Sequence, residues 1–155
     1  MSTMSDDAET FSVVRSIFED QIPFNRLLGL TIESMDFERV KLKLPMREDL
    51  VGNYLRGSLH GGVVSATLDL SGGLIAFLGV LKTLRGMTVE EKMQQLANMG
   101  TLDLRIDYLR PGLGKHFLAT AFRLRTGSRV VVTRMELHNQ EERLLAVGTG
   151  AYFAG

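Results

Sequence analysis

The sequence predicts an α+β fold, with a curved antiparallel sheet of five to six strands wrapped around one long buried helix. Three observations carry this. The first is "GGVVSATLDLSGGLIAFLGVL", Gly61 to Leu81, an apolar run of helical length rich in small residues. The second is order: one strand signal precedes that run and four follow it. The third is alternation, cleanest in "FERVKLKL", where Val40, Leu42 and Leu44 share one face and Arg39, Lys41 and Lys43 the other. An N-terminal helix and a helical insertion complete the pattern.

Residues 1–8 are acidic and polar and are expected to be flexible. They show no basic region followed by an apolar run, so no secretory signal is expected. A helix is predicted from about Glu9 to Gln21, with Phe11, Val14, Ile17 and Phe18 on one face and Pro23 ending it. A single strand is expected to start near Leu30 and run through the alternating stretch to Leu44. The loop "PMREDLVGNYLRGS" leads into the apolar helix. Residues 82–99 then form an insertion, in which "TVEEKMQQLANM" has the pattern of an amphipathic helix.

"TLDLRIDYL" sets Leu102, Leu104, Ile106 and Tyr108 on one face, and "HFLATAFRLR" sets Leu118, Phe122 and Leu124 together. Two further strands, "RVVVTRMEL" and "RLLAVGTGAYF", are joined by the polar turn "HNQEE", while "PGLG" and "TGS" mark the other turns. There is no internal repeat. Residues 1–155 read as one domain.

Composition narrows the chemistry. Hydrophobic residues make up 45% and charged residues 23%, as in ordinary globular chains. Eighteen basic residues balance eighteen acidic ones, so nothing calls for nucleic acid or an anionic membrane. With no cysteine, disulfides, thiolate metal sites and cysteine nucleophiles are excluded, which fits a reducing cytoplasm. The 21 residues from Gly61 to Leu81 could span a bilayer by length. Asp69 at the centre of such a span would cost about 2.5–3.5 kcal/mol. Five Gly, two Ala, two Ser and one Thr in the run instead suit close packing inside a protein.

Asp69 is therefore the residue to explain. It lies nine positions after His60, about 13.5 Å of rise and about 180° of rotation on a helix. The two cannot converge on a small substrate within one chain. In a twofold dimer with antiparallel helices, the N-terminus of one helix comes near the middle of the other. That N-terminus, "LHGG", offers N–H groups without internal partners and the positive end of the dipole, and Gly61 and Gly62 carry no side chains to block approach. His60 by itself also fits a satisfied buried histidine, and paired glycines by themselves serve packing. Together with the carboxylate they suffice to hydrolyse an activated ester: donors for the developing oxyanion and a base or nucleophile opposite.

At these residues the chain resembles a known family. "GSLHGGVVSATLD" is similar to the active-site segment of hotdog-fold acyl-CoA thioesterases of the PaaI-like group, with Gly57, His60, Gly61, Gly62 and Asp69 all in register. "IPFNRLLGL", "VGNYLRGSLHGGVVSATLD", "MGTLDLRIDYLRPG" and "MELHN" resemble the YigI-type branch, bacterial medium- and long-chain acyl-CoA thioesterases, over residues 22–139. The resemblance implies a hotdog fold, hydrolysis of acyl-CoA to free fatty acid and CoA, no cofactor and no metal. It also implies a homodimer with sites at its interface, alone or as a dimer of dimers.

Carried over by position, Asp69 is the catalytic carboxylate, as general base or nucleophile. Gly61 gives the N–H that polarises the thioester carbonyl, and His60 positions the substrate or its sulfur. Thr101 falls where relatives hold the attacking water. Relatives have an asparagine six residues before the histidine; here Tyr54 stands there and Asn53 one earlier, so Asn53 takes that role only through a loop shift. For the CoA moiety the resemblance points to Ser128 and Arg129 in "TGSRV", beside Gly62 and Arg56 near the "HGG" loop. From Gly100 to Arg134 seven basic residues face only two acidic ones, which suits a phosphate-bearing ligand. Met87, Met93, Met99 and Leu96 of the insertion are candidates to line an acyl tunnel.

Two other functions remain open on the residues alone. One is an acyl-thioester dehydratase or hydratase, although no second acid or base is well placed for it. The other is a non-catalytic acyl-CoA-binding module. A serine hydrolase is excluded, because no Gly-x-Ser-x-Gly occurs.

Overall fold

Alternating strands build one six-stranded sheet in which every neighbouring pair is antiparallel. The computed structural model describes residues 2–84 and 86–155, with backbone alone over 2–6. The strands are β1 (Thr31–Met35), β2 (Arg39–Pro45), β5 (Gly100–Tyr108), β6 (His116–Thr126), β7 (Val130–Asn139) and β8 (Leu144–Phe153). Their spatial order is β1-β2-β6-β7-β8-β5. A separate small hairpin joins β3 (Val51–Asn53) to β4 (Ser58–Leu59).

The expected long helix, α3 (Gly61–Leu81), lies against β2, β5, β6, β7 and β8. It is long and apolar enough to cross a membrane, but here it forms the core that the sheet encloses. Every residue from Leu74 to Leu81 is buried, whereas Gly61 and Gly62 are exposed, so the helix leaves the core at its N-terminal end. Burying each of Leu74, Ile75, Phe77 and Leu78 is worth about 1.5–3 kcal/mol. Close approach is set by small residues on both sides. Ala119 and Ala121 of β6 are fully buried in the core, and a Cβ on Gly79 would lie 2.6 Å from the Arg123 stem.

The N-terminal helix, α1 (Ser2–Ser16), continues as a π-helical turn over Ile17–Gln21. It starts well before Glu9 and covers the stretch expected to be flexible; Met1 lies outside the described residues. Val14 and Phe18 are buried, and Phe18 stacks on Phe77 of α3 with ring centroids 6.4 Å apart. Arg15 donates to the Ile32 carbonyl, and Glu19 accepts the Ile32 N–H at 2.6 Å, which ties the helix to β1.

Several expectations are corrected. Pro23 opens a helix, α2 (Pro23–Leu28), where its fixed φ and missing N–H suit the first position, and Gly29 at φ +73° ends it. The single strand expected from Leu30 to Leu44 is a hairpin. The Asp36 carboxylate turns the chain by accepting the N–H groups of Glu38 and Arg39 at 2.7 and 2.8 Å. On β6 the inward residues are Phe117, Ala119 and Ala121; Leu118, Phe122 and Leu124 lie on the opposite face. Ala119 and Ala121 leave room for the helix on the inward face, and the stripe of Leu118, Phe122 and Leu124 turns outward. On β5, Leu104 and Ile106 are half-buried but Leu102 and Tyr108 are exposed, because this edge strand pairs only with β8. The insertion forms α4 (Val89–Gln94), capped reciprocally by Thr88 and Glu91, and then a 3-10 turn over Gln95–Asn98.

Candidate active site

His60 sits where the β3–β4 hairpin feeds α3. Asn53 makes the hairpin's turn: its carbonyl accepts the N–H groups of Arg56 and Gly57, and its side-chain Oδ1 accepts Arg56 N–H at 3.2 Å. Gly57 adopts φ +64° in that turn. The His60 N–H donates to the Leu50 carbonyl at 2.8 Å. Behind it, a Cβ on Gly52 would come within 2.5 Å of the His60 Cα, so β3 can lie this close only with glycine there.

His60 is exposed and is the N-cap of α3: its Nδ1 accepts the Gly62 N–H at 2.8 Å. An accepting Nδ1 carries no proton, which leaves the neutral ring's N–H at Nε2. The carbonyl of His60 takes the N–H groups of Val63 and Val64. The Gly61 N–H alone in this first turn has no acceptor among the described residues. Tyr108 of β5 donates to the Gly61 carbonyl at 3.0 Å and fixes that peptide. Gly62 is constrained too, since a Cβ there would lie 3.0 Å from His60 Nδ1.

Asp69 lies eight residues further along α3, about 12 Å from Gly61 along the axis. Thr101 of β5 donates to Asp69 Oδ1 at 3.0 Å. Tyr152 of β8 also reaches Asp69, 3.1 Å from Oδ1 and 3.0 Å from its carbonyl. Burial, then the charge of Asp69, pushes the Tyr152 phenol far above its usual range, so it stays a protonated donor. Asp69 Oδ2 receives no hydrogen bond from the described residues. A cavity of about 230 Å³ opens beside Asp69, walled by Phe18, Leu70, Leu96, Met99 and Thr101. Among the described residues no three His, Cys, Asp or Glu side chains gather as a metal site would require.

Ser128 and Arg129 lie elsewhere, at the β6–β7 turn beside the far end of α3. Ser128 lines a second cavity of about 420 Å³ with Val80, Thr83, Gln95 and Ala154. Arg129 is exposed, and its carbonyl accepts the Ala154 N–H. One chain therefore holds the predicted residues in three places: His60, Gly61, Gly62, Asn53 and Arg56 at the helix start, Asp69 with Thr101 at mid-helix, and Ser128 with Arg129 near its end. Tyr152, Tyr108 and Gly52 escaped sequence reasoning. Only the inward register of "GAYF" could have pointed to Tyr152.

The sequence profile of the Thioesterase superfamily matches residues 56–146. The chain belongs to that superfamily. It carries the superfamily's hotdog fold, the sheet wrapped around α3. It is 39% identical, over 100% of both chains, to a medium/long-chain acyl-CoA thioesterase, YigI, of Escherichia coli, and 38% identical over the same extent to that of Salmonella typhimurium. A crystal structure of a Shewanella oneidensis protein related to the thioesterase superfamily superposes with a TM-score of 0.90 at 44% identity, covering 96% of this chain and 97% of that one.

Proposed function

We propose that this thioesterase hydrolyses medium- to long-chain acyl-CoA to free fatty acid and CoA, in the cytoplasm, as a homodimer or dimer of dimers whose sites are shared between chains. One observation carries it: a carboxylate, Asp69, in the wall of an apolar cavity, with one oxygen held by hydroxyls and the other without a partner among the described residues. The full-length relatives named for acyl-CoA hydrolysis support the substrate class.

Asp69 Oδ2 takes a proton from water as the water oxygen bonds to the thioester carbon. The carbonyl oxygen becomes an oxyanion against the Gly61 N–H at the positive end of α3. Collapse breaks the carbon–sulfur bond, and the leaving thiolate takes the proton that Asp69 removed from water, while the His60 Nε2–H donates a hydrogen bond toward the sulfur. Gly61 and Asp69 are about 12 Å apart on one helix, so the Gly61 N–H facing a given Asp69 belongs to a second copy running antiparallel. Thr101 accepts a hydrogen bond from the attacking water with its free lone pair while donating to Asp69. Asn53, committed to its own turn, supports the "HGG" loop. The Gly62 N–H is spent on His60, and the bare Gly62 Cα lets substrate approach. Arg56, Ser128 and Arg129 meet the nucleotide phosphates.

Thiol release from a panel of acyl-CoAs tests this, with short, medium and long chains, an aryl member and a β-hydroxyacyl member. Turnover rising toward medium and long chains is expected. Water loss from the β-hydroxyacyl member without thiol release would favour a dehydratase, and binding without turnover would favour a sensing module.

A further inference from the structure

We infer that Tyr152 is a positioning residue for the reaction: its hydroxyl and that of Thr101 pin Asp69 Oδ1, so that Oδ2 alone is presented to the reacting water. This rests on Asp69 acting as proposed above. Thr101 and Tyr152 are direct cross-strand partners on β5 and β8, so their side chains emerge from one rung on one face of the sheet. Both reach the same oxygen, at 3.0 and 3.1 Å. Two donors from a rigid rung fix the rotation of a short side chain better than one.

The core is shaped around that hydroxyl. A Cβ on Gly72 would overlap the Tyr152 oxygen, and one on Gly150 would sit 2.8 Å from the ring and from the hydroxyl. Thr133 and Met135 close the remaining side of the slot at Gly72. Glycine inside a buried helix is unfavourable for the helix itself, so the slot is explained by what it admits. The ring is 2% exposed. A tyrosine here for bulk alone would need only the Asp69 carbonyl as acceptor, yet its hydroxyl also lies within reach of the carboxylate. Because the phenol stays protonated, it remains a donor across the working pH range.

Tyr152→Phe keeps the ring and removes the hydroxyl. Measured beside Asp69→Asn on the best acyl-CoA, it is expected to lower kcat about tenfold or more with KM changed less than about twofold, the pattern of an interaction spent in the transition state. An unchanged kcat in Tyr152→Phe with an inactive Asp69→Asn would overturn the inference and leave the proposed hydrolysis standing. A raised KM with unchanged kcat would overturn it too, making Tyr152 a wall of the acyl cavity. Full activity in Asp69→Asn would remove the underlying mechanism instead. Should the phenylalanine variant fail to fold, 4-aminophenylalanine at position 152 supplies an N–H donor of similar size. Retained kcat there supports the inference, and a fall of about tenfold overturns it.

Discussion

His60 Nδ1 accepts the Gly62 N–H at 2.8 Å, so one side chain both caps the core helix and decides which N–H group that helix leaves free. The cap and the exposed Nε2 can be separated. His60→Ala is expected to lose about 1 kcal/mol of stability with the cap, whereas His60→Asn, a good N-cap, loses almost none. Both are expected to lose activity about tenfold if His60 acts as proposed, because each lacks the Nε2 donor and the ring proposed to position the substrate. Urea unfolding and kcat on the same samples check this. A fully active His60→Asn would reduce the histidine to a cap.

The proposed sharing of the site between chains predicts complementation. Asp69→Asn and His60→Ala chains each lack one half, and a mixed dimer restores one intact site of two. Unfolding and refolding an equal mixture is expected to recover about a quarter of wild-type activity, from half the dimers carrying half their sites. Recovery no greater than the sum of the separate variants would place the whole site in one chain.

Phe18, Leu96 and Met99 wall the cavity beside Asp69, drawn from the N-terminal helix and the insertion. Met99→Trp is expected to lower kcat/KM for the longest acyl chains by about tenfold or more while sparing short ones. One methylene in an apolar pocket is worth about 1–3 kcal/mol, so filling space for several is decisive. A chain-length profile unchanged by Met99→Trp would move the acyl site elsewhere.

The raised Tyr152 phenol predicts a pH dependence of stability. Its folded pKa lies above the ordinary value of 10.0, so its contribution is complete below pH 10 and is lost as pH rises beyond it. The stability gap between wild type and Tyr152→Phe should then narrow by about 1.4 kcal/mol per pH unit above pH 10. Urea midpoints measured from pH 8 to 11 read it directly. A constant gap would mean that Tyr152 titrates in the folded protein as it does unfolded.

How much was legible in the sequence differs by element, for physical reasons. α3 and Asp69 were plain, because a carboxylate in an apolar run conflicts with burial and needs a reason. The β1–β2 hairpin was hidden, since its turn is built by the Asp36 carboxylate with neither glycine nor proline. Leu118, Phe122 and Leu124 do share a face, but which face of β6 turns inward was not legible, because Ala119 and Ala121 carry little hydrophobic signal, although they are what admits the helix. Tyr152 was invisible: on a buried strand it reads as one more inward residue, and its meaning comes from Asp69, eighty-three positions away. The separation of Gly61 at the start of α3, Asp69 at its middle and Arg129 in the β6–β7 turn is likewise a property of the fold.

The central claim is that Asp69 drives thioester hydrolysis, and thiol release by wild type and Asp69→Asn under saturating medium-chain acyl-CoA tests it most directly. With matching unfolding curves, the asparagine variant is expected to be slower by about a hundredfold or more. Equal rates in the two proteins would contradict the account.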